Sequence, residues 1–328
     1  MDPVHVVGAG VAGLTVAVEL MERGVPVSIC DRHEDPGPHH CSWWAGGMLA
    51  PWCEYERAEE PVMRLGQQSI GWWKKRTAVE ERGTLVVAAP RDQAGLASFS
   101  RRTHGFSDVN SQEISGLEPD LSGRFTKGLF FEREAHLNAR TALRDLTQAL
   151  REGGCRFSSA AERPTGGTRV DCRGLEARDV LKDLRGVKGE MLVLRCPDVR
   201  LRRPVRFLHP RIPLYIVPRG SGVYMLGATM IESDDRERVT ARSLLELLSA
   251  AYAVNPAFGE AEIMEIGVDA RPAFPDHLPH IRRNGDVLYV NGLYRHGYLM
   301  APAMAQQVAD LILNGTQPEM MDENYTEW

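Results

Sequence analysis

The chain opens on a compact alternation of buried-type and turn-type positions. Val4-His5-Val6-Val7 reads as a short buried strand, Leu14 to Arg23 as a helix with apolar residues at helical spacing, and Val25 to Cys30 as a second strand ending at Asp31. Apolar runs predict further strands at Gly83–Ala89, Gly128–Phe131, Cys155–Phe157 and Arg169–Cys172. Helices are expected over Gln93 to Arg102, over Glu113 to the stop at Pro119, and over Asn138 to Glu152, where Leu143, Leu146 and Leu150 share a face. Ala58 to Arg76 carries Val62, Leu65, Ile70 and Trp73 at an imperfect helical spacing.

A β-rich stretch follows. Gly189–Arg195, Leu214–Pro218 and Gly222–Met230 read as strands, and the turn Arg219-Gly220-Ser221-Gly222 joins the last two as a hairpin. Ala241 to Tyr252 is an amphipathic helix and Glu260 to Val268 another strand. Val287–Gly292 reads as strand then tight turn, Ala303 to Leu313 as the last helix, closed by Asn314-Gly315, and Met320–Trp328 as a loose acidic tail. Strands that return this late imply that a first domain is interrupted and resumed.

The first strand runs into Gly8, Gly10 and Gly13, spaced G-x-G-x-x-G, and then into a helix. In a dinucleotide-binding βαβ unit Gly8 allows the tight turn, Gly10 admits a pyrophosphate to the backbone, and Gly13 lets helix and strand approach. The helix N-terminus offers N–H groups to phosphates, and Asp31 falls where an acid would hold ribose hydroxyls. Further on, Cys41-Ser42-Trp43-Trp44-Ala45-Gly46-Gly47-Met48 crowds small residues beside two tryptophans, a composition suited to backbone passing against a flat ligand.

Composition narrows the setting. The 328 residues are 43% apolar and 25% charged, ordinary for a soluble enzyme of two domains. A net charge of -5 gives no electrostatic reason to expect nucleic acid or an anionic membrane. No apolar run approaches the ~20 residues of a membrane span. Six scattered cysteines without a C-x-x-C, and no signal-peptide pattern, predict a cytoplasmic protein. His39 and His40 beside Cys41 read as a polar loop, and no metal site is expected.

The order of these pieces, one nucleotide fingerprint, a β-rich insertion and a late strand–glycine–helix, resembles the D-amino-acid-oxidase-type flavoenzymes. Seven motifs are similar to those of the glycine oxidases of thiamine biosynthesis. They are Val6-Val7-Gly8-Ala9-Gly10-Val11-Ala12-Gly13, Ala45-Gly46-Gly47-Met48-Leu49, Val187-Lys188-Gly189-Glu190-Met191-Leu192, Tyr215-Ile216-Val217-Pro218-Arg219, Gly227-Ala228-Thr229-Met230, Arg271-Pro272, and Arg295-His296-Gly297-Tyr298-Leu299-Met300-Ala301-Pro302. Two departures are Asp31, where relatives often carry Glu, and Trp43-Trp44, where others have small residues.

The resemblance implies an α/β fold with an α+β insertion. A Rossmann-like FAD-binding domain would take residues 1–75, 136–180 and 269–328, and a mainly antiparallel β-sheet substrate domain residues 76–135 and 181–268. It implies FAD held by Gly8, Gly10, Val11, Ala12, Gly13, Asp31 and Arg32, by Cys41, Ser42, Gly46, Gly47 and Met48, and by Leu293, Tyr294, Arg295, His296, Gly297, Tyr298 and Leu299. The late segment carries no cysteine for a covalent flavin link, so noncovalent FAD is expected. Arg271 would fork onto a substrate carboxylate with help from the Tyr215 hydroxyl, with Met230 and Arg295 completing the pocket.

The implied reaction is hydride transfer from the α-carbon of glycine, or of a small N-alkyl glycine or D-amino acid. O2 and water complete it, giving glyoxylate, ammonia and H2O2 through an imine that would feed thiazole formation. The alternatives are an oxidase for a larger N-substituted glycine, a D-amino-acid dehydrogenase using another acceptor, a flavin-binding protein without catalysis, and a nicotinamide enzyme. Related enzymes imply a homo-oligomer, dimer or tetramer.

Overall fold

The computed structural model describes residues 2–159, 166–209 and 214–322. Two large sheets organise them. The first has six strands in the order His280–Asn284, Val287–Asn291, Thr168–Asp171, Val4–Val7, Val27–Asp31 and Arg156–Ser159. Its strands run parallel except for the outermost hairpin, His280–Asn284 against Val287–Asn291. Helices Val11–Glu22, Ala139–Glu152 and Gly297–Asn314 supply apolar faces to one core on this sheet, as helices must where parallel strands bury their faces.

The second sheet has nine strands among the described residues and is antiparallel except where Val205–Leu208 runs parallel to Thr84–Ala88. Toward one end runs the long strand Arg185–Arg195, which pairs with Val223–Gly227 and with Glu262–Ala273. A separate apolar cluster joins this sheet to helix Ala241–Val254. Together these features give the mixed α/β fold with a mainly antiparallel second sheet that the sequence leads one to expect.

Several elements differ from expectation for identifiable reasons. The first helix begins at Val11, not Leu14, because Gly10 caps it and its carbonyl already accepts the Leu14 N–H at 3.0 Å. The last helix begins at Gly297, six residues before Ala303, and carries Pro302 inside it. Proline there has no N–H for the carbonyl of Tyr298, and the Trp73 indole N–H donates to that carbonyl instead, at 2.8 Å. Ala58 to Arg76 holds two helices, Glu60–Gly66 and Ser69–Lys74.

The strand expected to end at Val268 continues to Ala273, carrying Arg271 within it. It lies at a sheet edge, where proline at 272 disturbs no second ladder. It also crosses the boundary expected at residue 269. The strand from Gly222 stops at Gly227, leaving Met230 beyond it. Strands Ser107–Asn110, Val205–Leu208 and His280–Asn284 carry no clear apolar alternation and were not expected. The start of the expected loose tail is docked. Met320 is buried, and the Asp322 N–H donates to the Ile281 carbonyl at 2.9 Å; residues 323–328 lie outside the described residues. No helix among the described residues is long and apolar enough to cross a membrane.

Candidate active site

A cavity of about 670 Å³ lies where the C-terminal ends of the first sheet's strands meet the second sheet, a volume in the range of cofactor and ligand sites. Of the sequence-selected residues, all but Gly13 line it. Gly13 serves the cavity from behind: a Cβ there would stand 1.8 Å from the Gly8 carbonyl oxygen, so only glycine lets helix and strand pack this closely. Gly8 adopts φ +102, and a Cβ would meet Cys172 backbone. Gly10 is different. Its Cβ would face only Ser42 Oγ, at 3.4 Å, so its bareness keeps the cavity open. The three glycines therefore divide their labour as a phosphate cradle requires, and Gly10 brings no capping side chain to the helix that begins at Val11, whose first N–H donates to Ser42 Oγ at 3.0 Å.

Asp31 is fixed by three partners. Its carboxylate accepts the Ala9 N–H at 2.6 Å, the His33 N–H at 3.0 Å, and lies 3.3 Å from His40 Nε2. Burial opposes its ionisation, but these hydrogen bonds, led by His40, hold it at about 2. The neighbouring His40, which is among the residues lining the cavity, has a buried Nδ1 with no protein partner. Arg32 turns outward to Glu176, at 2.8 Å.

The small-residue loop is held from beneath by Arg219. This half-buried guanidinium donates to the carbonyls of Leu137 (2.6 Å), Ala45 (3.1 Å) and Gly46 (2.9 Å). Burial pushes it down to about 10, still charged at neutral pH. Gly47, at φ +67, passes so close to the Leu137 carbonyl that a Cβ would stand 2.3 Å from it. The two tryptophans separate: Trp43 enters the core, while Trp44 lines the cavity over Gly267, whose missing side chain makes room for the ring. Burial pushes the Cys41 thiol up to about 12.

Arg271 reaches the cavity from the edge strand. Its Nη1 donates to the Thr229 carbonyl at 3.2 Å, and its guanidinium lies against Gly189, where a Cβ would be 2.2 Å from Nη2. Thr229 is itself fixed, since its Oγ1 accepts the Glu190 N–H at 2.9 Å. Among the described residues no carboxylate pairs with Arg271, and burial pushes its guanidinium down. An anion entering the cavity would meet a fork already in place. Met230, 38% exposed, sits at the mouth with its sulfur 3.8 Å from the Tyr294 hydroxyl.

Tyr215 and Arg295 are engaged differently from the sequence-based expectation. The Tyr215 hydroxyl donates to Glu54 Oε1 at 2.6 Å, and Arg295 donates to Glu54 Oε2 at 2.7 Å. Arg206, 1% exposed, stands behind them, 3.8 Å from Glu54 and 3.2 Å from Glu56. Burial works against the Glu54 charge, but Arg295 and then Arg206 hold its carboxyl at about 2. Burial drives His296 down to about 4, leaving it neutral. Glu54 and Arg206 escape sequence reading. Both sit in stretches that look like polar surface, and their partners lie more than a hundred residues away.

A family model described as FAD dependent oxidoreductase (DAO) matches residues 3–311. The chain belongs to that family. Among its relatives, a Rhizobium etli protein with the provisional name thiamine biosynthesis oxidoreductase ThiO is 52% identical over 318 residues, covering 95% of this chain and 97% of that one. The glycine oxidase of Bacillus licheniformis is 25% identical over 94% of this chain and 92% of its own. The crystal structure of glycine oxidase from Bacillus cereus superposes with a TM-score of 0.84 at 22% identity, covering 98% of this chain and 99% of that one, which is a likeness of fold. The protein is an FAD-dependent oxidoreductase, and the residues of this cavity could hold that cofactor. The glycine cradle, the fixed Asp31 and the unpartnered His40 Nδ1 fit the nucleotide half, and the uncapped N-terminus of the last helix points its free N–H groups toward the other end.

Proposed function

We propose that this FAD-dependent oxidoreductase is an amine oxidase acting on glycine and close analogues, with O2 as acceptor, and that it supplies the imine used for thiazole formation in thiamine synthesis. The observation that carries the reading is Arg271, a half-buried guanidinium with no carboxylate partner among the described residues, held against the cavity wall by Thr229. A pocket that buries an unpaired cation is built to receive an anion, and a guanidinium fork matches a carboxylate in two parallel hydrogen bonds. Bound FAD supplies the hydride acceptor.

The chain's own work is positional. Arg271 fixes the carboxylate and thereby the α-carbon, and Met230 with Trp44 narrows the space around it. No strong base is required, because the lone pair of a neutral amine drives loss of the α-hydride. His296, neutral beside the site, adds no second cation to oppose a substrate's amine. We take the cofactor to be noncovalent, since the residues Leu293 to Leu299 hold no thiol and Cys41 stays protonated.

The test is anaerobic addition of glycine, sarcosine, N-ethylglycine and D-alanine to the holoenzyme, followed by air and a peroxide assay. The reading expects loss of the flavin absorbance and then stoichiometric H2O2. Bleaching without peroxide would make the protein a dehydrogenase. No bleaching by any of the four would reject the reading.

A further inference from the structure

Five arginines line the cavity, and Arg32, Arg173, Arg236 and Arg295 each pair with an acid. Arg271 has no acidic partner among the described residues, whereas Arg295 spends itself on Glu54 at 2.7 Å. The two are near enough for the charge of Arg295 to push Arg271 down. With Glu54 absent, Arg271 and Arg295 would both stand on the wall of one cavity without an acidic partner among the described residues. Glu54 cannot swing away to leave such a pair. Its oxygens are held by Tyr215 and Arg295, Arg206 backs it, and the preceding residue is anchored by the Cys53 N–H donating to Glu134 Oε1 at 2.7 Å.

We propose that Glu54 is a specificity-determining residue, whose carboxylate occupies Arg295 and holds a negative charge where the second carboxylate of a dicarboxylic ligand would lie. The pocket then admits amino monocarboxylates and rejects N-carboxymethyl or side-chain-carboxylate analogues. This rests on the reading that Arg271 receives the substrate carboxylate. A second carboxylate would have to enter beside an ionised, buried one, and in a site with little water like charges repel strongly. An ordinary structural counter-ion would affect all ligands alike. A specificity element changes their ratio.

The experiment titrates the flavin absorbance of the holoenzyme with acetate and propionate, and with malonate, succinate and iminodiacetate. Wild type is expected to bind the monocarboxylates about tenfold or more tightly than the dicarboxylates. E54Q should shift that ratio by about tenfold or more toward the dicarboxylates, and E54Q/R295Q should return it. R295Q alone leaves Glu54 uncompensated and should sharpen the discrimination, so it decides the matter if E54Q fails to retain FAD. A wild-type ratio near one, or a ratio unmoved in both E54Q and R295Q, overturns the inference alone. Silence toward acetate in wild type, with no bleaching by glycine, overturns it together with the reading beneath it.

Discussion

Arg271→Lys isolates what the fork contributes beyond its charge. Lysine keeps one positive charge but presents a single point donor, so one of the two parallel hydrogen bonds to a carboxylate is lost. A hydrogen bond to a charged group contributes about 1.5–3 kcal/mol, which corresponds to about 10–100-fold in kcat/KM for glycine. Two features of the site push toward the upper end. The guanidinium fills the space over the bare backbone of Gly189, which an ammonium leaves empty, and its Nη1 is anchored by the Thr229 carbonyl at 3.2 Å. A lysine buried there without an acidic partner would also lose its proton below the usual lysine range, because burial disfavours the charged form. Acetate affinity in the variant should therefore weaken with rising pH where wild type, whose guanidinium stays charged, holds steady. Steady-state peroxide release and acetate titration of the flavin absorbance measure both effects. Unchanged kinetics together with unchanged acetate affinity would show that the carboxylate binds elsewhere.

Gly10→Val should yield folded protein without FAD, since the new side chain enters the cavity past a single neighbour, Ser42 Oγ at 3.4 Å, and the ratio of visible to protein absorbance reads it directly. Gly13→Ala should instead impair folding, because its Cβ would lie 1.8 Å from the Gly8 carbonyl oxygen; a melting temperature equal to wild type refutes that. Asp31→Asn should destabilise at neutral pH and progressively less in acid. The folded carboxyl sits at about 2 against an ordinary 3.8, so its ionised form stabilises above the ordinary value and that contribution disappears as pH falls toward about 2; urea denaturation at several pH values checks the sign. Trp73→Phe should cost about 1–3 kcal/mol by leaving the Tyr298 carbonyl without its indole donor, and adding Pro302→Ala should recover part of that by restoring a backbone N–H. A double-mutant cycle with no coupling would show that the indole bond is incidental.

The nucleotide half of this molecule was legible because its requirements are local. A buried strand, three glycines with separate steric duties and a helix at their end all fall within about one βαβ unit of chain, and each constraint is written in the residue that meets it. Elsewhere the determining partner is distant. Pro302 reads as a helix breaker until Trp73, 225 residues earlier than the helix carbonyl it serves, supplies the missing donor. Asp269-Ala270-Arg271-Pro272 falls beyond the expected end of its strand at Val268, and the strand runs through it because at an edge the proline costs little. Arg271 was found by motif, and its freedom from any acid could be learned only from the assembled site.

Glu54 marks the limit of sequence reading most sharply. Nothing in Trp52-Cys53-Glu54-Tyr55-Glu56-Arg57 marks a site, yet Glu54 is 8% exposed and joins Tyr215, 161 residues on, to Arg295, 241 residues on. A buried charge is tolerated only with its compensation, so Glu54, Arg295 and Arg206 make physical sense as a unit and none of them does alone. Arg271 departs from that rule: half-buried, it is fixed by a neutral carbonyl and left without an acid among the described residues. Compensation that is given to the other arginines of the cavity and withheld from Arg271 is how a site reserves a cation for a ligand. The pairing of Glu54 with Arg295 and the isolation of Arg271 are thus one device, and the ratio of mono- to dicarboxylate affinity measures it.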